Sequence, residues 1–273
     1  SSSSRGLGDV YKRQNQNFMN LGFIGTGKIA SSVITGICAS KISYKKIIIS
    51  PRNTKIAKGL KAKFKKITIA KTNQQIVDQS DWVFLSVTPS VGQKIIKELK
   101  FKSKQTVISF ISTITLSQLK KAIKVKAKIV RAIPLPPISF KKGPVPICPP
   151  NIKVKKFFNH LGTTVEIKKE KSSINFWTTS GMMAPFYELL RVMTDWLVKR
   201  GVKRHNAQKY ITSLFLALSE DAVNNSKENL KFLVKESQTP KGLNEQGVKE
   251  LSKAGFYKSL EKTLNSIHRR LNK

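Results

Sequence analysis

Acidic residues are scarce in this sequence. Fifteen Asp and Glu stand against 51 Lys and Arg, a formal charge of +36 over 273 residues. Cysteine is nearly absent. Cys38 and Cys148 form no CxxC pair, which excludes a disulfide framework and suits a reducing, cytoplasmic setting. His160, His205 and His268 lie far apart with no metal spacing, so no metal site is expected. No long uncharged apolar run exists, so no transmembrane helix and no membrane partner are expected. What remains is 40% apolar, enough to build real cores.

The positive charge does not gather in one stripe or tail. Lysines run along the whole chain beside abundant Ile and Asn, as an AT-rich genome produces by codon bias. No nucleic-acid role is therefore expected, although the charge would steer anionic cofactors and substrates toward the protein. Residues 1–18 show no hydrophobic periodicity and no secretory apolar segment. Asp9 to Gln14 resembles a translated transposon end from a sequencing library, so the fold and the natural start are expected at Met19.

From Met19 the pattern becomes regular. Leu21–Ile24 reads as a strand and runs into Gly25-Thr26-Gly27-Lys28-Ile29-Ala30. Ile29, Val33, Ile34 and Ile37 then recur at helical spacing. A G-x-G-x-x-A segment between strand and helix is the context a dinucleotide fingerprint requires. Gly25 permits the turn, Gly27 lets backbone approach a pyrophosphate, and Ala30 keeps the helix close. After a second strand at Lys46–Ile49, Ser50, Arg52 and Asn53 stand where an NAD site places an acid. Donors there suit a 2′-phosphate and favour NADPH over NADH.

Further strands are expected at Lys66–Ile69, Trp82–Val87, Thr106–Phe110 and Ala127–Ala132, with helices at Asn73–Gln79 and Ser117–Ile123. This alternation implies an α/β, doubly wound, mainly parallel sheet of the Rossmann type. Thr88-Pro89 and the rigid loop Ile133-Pro134-Leu135-Pro136-Pro137 end strands at the carboxyl edge, where ligands of such folds lie. Strands at Val145–Cys148 and Thr163–Glu166 flank a helix from Ile152 to His160. From about Ser172 the signal is all-α. Phe186, Leu189, Leu190, Met193, Trp196 and Leu197 share one helical face, and Gly201 follows as its stop. Tyr210 to Leu218, Leu230 to Val234, Leu243 to Ala254 and Lys258 to Leu271 supply more helices, with dimerisation expected to complete their core. The domains are thus 19–168 and 169–273 behind the 1–18 tail.

The order of sheet, P-x-x-P loop and helical domain resembles the pyrroline-5-carboxylate reductase family. LGFIGTGKIA, SDWVFLSVTP, RAIPLPP and ESQTPKGLNEQG carry the resemblance across residues 19–273. It implies NADPH-dependent reduction of a cyclic imine carboxylate in proline synthesis by a homodimer or an oligomer of dimers. It places Gly25 through Ile29 on the pyrophosphate, Asn73 on the adenosine, Val87, Thr88 and Pro89 beside the cofactor, and the Pro134 loop near the nicotinamide. Met183 and the Thr239-Pro240-Lys241-Gly242-Leu243-Asn244 loop would hold the substrate, with the carboxylate on backbone N–H groups of the helix that the loop starts. Thr239 and Asn244 fall at the family's catalytic loop, Asn244 replacing a threonine proposed to bond the ring nitrogen. Lys241 replaces a glycine and either needs another backbone angle or adds a cation for the carboxylate. Glu245 is read as a helix-start charge before a catalytic acid. Hydroxyacid dehydrogenases share the first half but carry a catalytic lysine absent from Ser172 to Leu190. Another imine reductase and a non-catalytic NADP-binding protein stay as alternatives.

Overall fold

The computed structural model of the chain describes residues 18–272. The expectation for the first seventeen residues lies outside them. The chain divides after Ser173 into two compact units.

The first unit holds one eight-stranded sheet in the order β3-β2-β1-β4-β5-β6-β7-β8. The strands are β1 Met19–Ile24, β2 Tyr44–Ile49, β3 Ile67–Ile69, β4 Trp82–Leu85, β5 Thr106–Ser109, β6 Lys128–Ala132, β7 Pro144–Cys148 and β8 Thr163–Glu166. All neighbours pair in parallel except β6 and β7. The helices are α1 Lys28–Cys38, α2 Thr54–Lys63, α3 Asn73–Gln79, α4 Pro89–Glu98, α5 Leu116–Ile123 and α6 Ile152–Phe158.

Alternation along each strand explains the apolar runs. Leu21, Phe23, Ile47, Ile49, Trp82 and Phe84 pack on one face with α1, α2 and α6. Ile24, Ile48, Val83 and Leu85 pack on the other with α3, α4 and α5. Successive side chains point to opposite faces, so a strand covered on both sides must be apolar throughout. Phe23 and Phe84 stack across β1 and β4 with ring centroids 4.4 Å apart.

The structure adjusts several sequence-based expectations. The strand expected to Val87 stops at Leu85, and the one expected to Phe110 stops at Ser109. Helices α2 and α4 carry no signal in that reading, because each buries only two residues. The P-x-x-P loop is more ordered than a plain connection. Pro136–Phe140 forms a 3₁₀ turn that packs on α1. That packing depends on Gly36, since a Cβ there would lie 2.5 Å from the Ile138 carbonyl oxygen.

The second unit is helical, with α7 Ser173–Ser180 crossing the division, then α8 Met183–Val198, α9 Arg204–Asn224, α10 Leu230–Glu236, α11 Leu243–Lys253 and α12 Phe256–Leu271. Gly201 takes φ +88° just past α8, as a helix stop requires. α8 packs on α9 through an edge-to-face contact of Phe186 and Phe215. Much of the expected apolar face stays open: Phe186, Leu189 and Trp196 are exposed, Trp196 at 53%. No helix among the described residues is long and apolar enough to cross a membrane.

The same substitution at two helical glycines should have opposite signs. Gly59→Ala meets open space in α2 and is expected to raise stability by about 0.5–1 kcal/mol through helix propensity. Gly36→Ala should lower it by about 1–3 kcal/mol through overpacking on Ile138. Urea midpoints of the two variants read both.

Candidate functional site

The strand order reverses between β1 and β4, so the connections leaving them diverge and open a crevice at the carboxyl edge. The glycine loop sits there. Gly25 adopts φ +96°, and a Cβ on it would lie 2.4 Å from the Ser86 carbonyl oxygen. Ser86 N–H in turn donates to the Ile24 carbonyl at 2.8 Å, closing the two strand ends together. Gly27 is exposed, caps the N-terminus of α1, and presents open space where a side chain would stand.

The first turn of α1, with Lys28 and Ile29, has no side-chain cap and no acidic residue. Its free N–H groups and dipole end therefore face outward uncompensated, which suits an anion. Thr26 is buried, and its Oγ1 has no partner among the described residues. An open glycine cradle, bare helix N–H groups and an orphaned hydroxyl fit a dinucleotide pyrophosphate.

The end of β2 joins the same edge. Ser50 is buried, its N–H donates to the Phe23 carbonyl at 3.1 Å, and its hydroxyl donates to Asn73 Oδ1 at 3.1 Å. This bond links two of the expected adenosine-side residues. Arg52 is exposed beside them. Asn53 has a second duty: its Oδ1 accepts the Ile56 N–H and caps α2, which leaves its amide nitrogen as the donor for a ligand. On the other side, Val87 is half-buried, Thr88 is the N-cap of α4 and Pro89 its first residue. Thr88 shares a hydroxyl contact with Ser90 at 3.2 Å. Pro134 is buried at the end of β6. The cofactor residues expected from the sequence thus lie along one sheet edge.

One group escaped sequence reasoning. Arg131 on β6 is 3% exposed, the one buried charged residue among those described. Its Nη1 pairs with Glu170 and its Nη2 donates to the Ser112 carbonyl. Glu170 also accepts the Leu116 N–H at 2.8 Å, at the start of α5. Cys148 lies opposite Arg131 in the β6–β7 register, and burial pushes its thiol above the ordinary range. A basic residue two positions before an X-Pro loop was the available signal, but its acid partner is 39 residues away.

In the helical unit the expected substrate loop is a tight turn. Gly242 N–H donates to the Thr239 carbonyl at 2.8 Å, with Pro240 second and Lys241 third. Lys241 adopts φ +61°, so it keeps the left-handed conformation that the third position of such a turn favours. Glu245 acts as a cap: Oε2 accepts the Lys241 N–H at 2.7 Å and Oε1 pairs with Lys249 at 2.8 Å. The Lys249 contact, then the Lys241 N–H, holds this carboxyl below its usual range. One Nδ2 hydrogen of Asn244 is used within the protein, donated to the Ser237 carbonyl at 2.7 Å. Leu243 is 86% exposed, and Met183 begins α8 half-buried. No group of metal-ligating side chains exists among the described residues.

Known proteins match both units. Residues 20–113 match the family model "NADP oxidoreductase coenzyme F420-dependent", and residues 174–273 match "Pyrroline-5-carboxylate reductase dimerisation". A pyrroline-5-carboxylate reductase of Synechocystis is 23% identical over 260 residues, covering 92% of this chain and 97% of the relative. The 1-pyrroline-5-carboxylate reductase structure from Streptococcus pyogenes superposes with a TM-score of 0.79 at 23% identity, over 94% of this chain and 99% of that one. A Plasmodium falciparum pyrroline carboxylate reductase with NADP bound gives 0.77 at 22% identity, over 93% and 97%. With a glycine-loop sheet unit and a helical unit in this order, the chain is similar to pyrroline-5-carboxylate reductases over nearly its whole length.

Proposed function

We propose that the chain reduces 1-pyrroline-5-carboxylate to L-proline with NADPH as hydride donor. The observation that carries this is the left-handed Gly25 turn at the β1–β4 crevice, on a chain whose relatives of that activity match over nearly its full length. The bound nicotinamide supplies the hydride. The N–H groups of Gly25 through Ile29 would hold the pyrophosphate, and Asn73 the adenosine. Ser50, Arg52 and Asn53 would hold the 2′-phosphate, for which the Arg fork provides two parallel donors. Val87, Thr88 and Pro89 would lie beside the cofactor, and Pro134 would border the nicotinamide.

Substrate recognition is assigned to Met183 and the Thr239–Asn244 turn. The start of α11 supports this, because backbone N–H groups there favour a carboxylate. Lys241 adds a cation beside it. A cyclic imine that arrives protonated needs only hydride at carbon, and its nitrogen keeps the proton it brought. The protein then contributes mainly by positioning, which is why no acid–base constellation is needed. Asn244 would accept the N–H of the protonated ring through its Oδ1, with Thr239 beside it.

The molecule is proposed to act as a homodimer in the cytoplasm. Support comes from the dimerisation match, the exposed apolar side chains of the helical unit, and two free cysteines. The substitution of an amide for a hydroxyl at Asn244 favours one second reading, a reductase of a different cyclic imine.

NADPH absorbance should fall on addition of pyrroline-5-carboxylate, faster than NADH absorbance does. Oxidation of NADPH only with other cyclic imines would move the chain to the second reading. Arg52→Ala removes a charge-assisted contact worth about 1.5–3 kcal/mol, so KM for NADPH should rise on the order of 10- to 100-fold while KM for NADH stays. Lys241→Gly should relieve left-handed strain of about 1–2 kcal/mol against a glycine entropy of about 0.5–1 kcal/mol. The melting temperature should therefore rise slightly, while KM for the carboxylate substrate rises with loss of the cation.

A further inference from the structure

Among 51 basic residues, Arg131 is the one charged side chain that is buried in the described part of the chain. It is matched by one of only fifteen acids. A buried ion pair is a poor way to gain stability, because desolvation offsets its attraction, and apolar residues of similar volume often do as well or better. Retaining one in a lysine-rich chain calls for a geometric reason.

The contacts supply it. Arg131 alternates with Val130 and Ala132, which belong to the opposite core, so its side chain shares the face of Ile129 and α5. From there one guanidinium edge holds the Ser112 carbonyl, inside the connection from β5 to α5. The other edge holds Glu170, whose Oε1 also accepts the first N–H of α5. Ser109, the last residue of β5, pairs with Arg131 in register. Residues 110–115 and 133–135 leave these neighbouring strands at the carboxyl edge. In a doubly wound sheet the adenosine half of a dinucleotide lies on the β1–β2–β3 side and the other half across the switch point. The clamped connections therefore border the nicotinamide half alone.

We infer that Arg131 and Glu170 are positioning residues that fix the nicotinamide side of the crevice and leave the adenosine side independent. The inference rests on the cofactor reading above, and it adds two residues that touch neither cofactor nor substrate. Arg is required over Lys because two directions must be held at once by a planar fork.

The test separates the two halves of the cofactor by their ligands in the full chain. Arg131→Met/Glu170→Leu removes both charges with little change in volume, and Arg131→Lys keeps the charge but loses the fork. Binding of 2′,5′-ADP, which carries only the adenosine half, should stay within about twofold of the parent protein for each folded variant. The Kd for NADPH should weaken about tenfold, and kcat should fall on the order of 100-fold, as misplacement of a reacting group does. If the double variant does not fold, Arg131→Lys decides alone. Unchanged NADPH affinity and kcat in a folded variant overturn the inference, as does equal weakening of both ligands. A parent protein that binds neither ligand overturns the cofactor reading and the inference with it. A parent that binds both but fails to turn over pyrroline-5-carboxylate rejects that substrate only, and the affinity split still decides the role of the pair.

Discussion

The site depends on one close approach. At Gly25 the chain leaves β1 in a left-handed turn so tight that a side chain would strike the Ser86 carbonyl. That contact is possible because β1 and β4 are neighbours whose ends are tied through Ser86 and Ile24. The turn aims the N-terminus of α1 along the crevice and leaves Gly27 bare at its tip. Every later element of the cofactor edge, from Ser50 to Pro134, is placed by the same parallel sheet relative to this turn.

The scarcity of acid has a structural consequence. No acidic residue occupies the first turn of α1, α2, α3, α4, α5 or α6. None of these helices therefore sets a carboxylate of its own first turn against an anionic ligand. Glu170 touches the first N–H of α5 from a distant segment, and it is already committed to Arg131. In the helical unit the situation differs, since Glu245 sits within the first turn of α11 and takes the Lys241 N–H. The Glu245 carboxylate there already has its own cation in Lys249. The helical unit also buries few of its own large apolar side chains, which fits a surface completed by a second copy.

Much of this was legible in the sequence, for physical reasons. Strands such as Trp82–Leu85 announce themselves because both faces are buried and no polar residue interrupts them. The glycine loop was readable because its spacing answers to steric needs at each position. Helices α2 and α4 were not, since two buried residues in ten leave too weak a period among the lysines. Lys241 illustrates a different limit: sequence showed a glycine position occupied by lysine, yet only the backbone angle shows that the turn was kept. Asn53 and Asn244 were read as ligand donors, whereas each also serves the protein's own backbone. The Arg131–Glu170 pair joins segments 39 residues apart, and no local pattern encodes such a meeting.

The central claim is that the bare N-terminus of α1 receives the cofactor pyrophosphate. Amide hydrogen exchange of the full chain with and without NADPH tests it most directly. The account predicts slowed exchange at Gly25 through Ala30 on NADPH addition, with weaker slowing when NADH replaces it. Binding of NADPH that leaves these amides unchanged would contradict it.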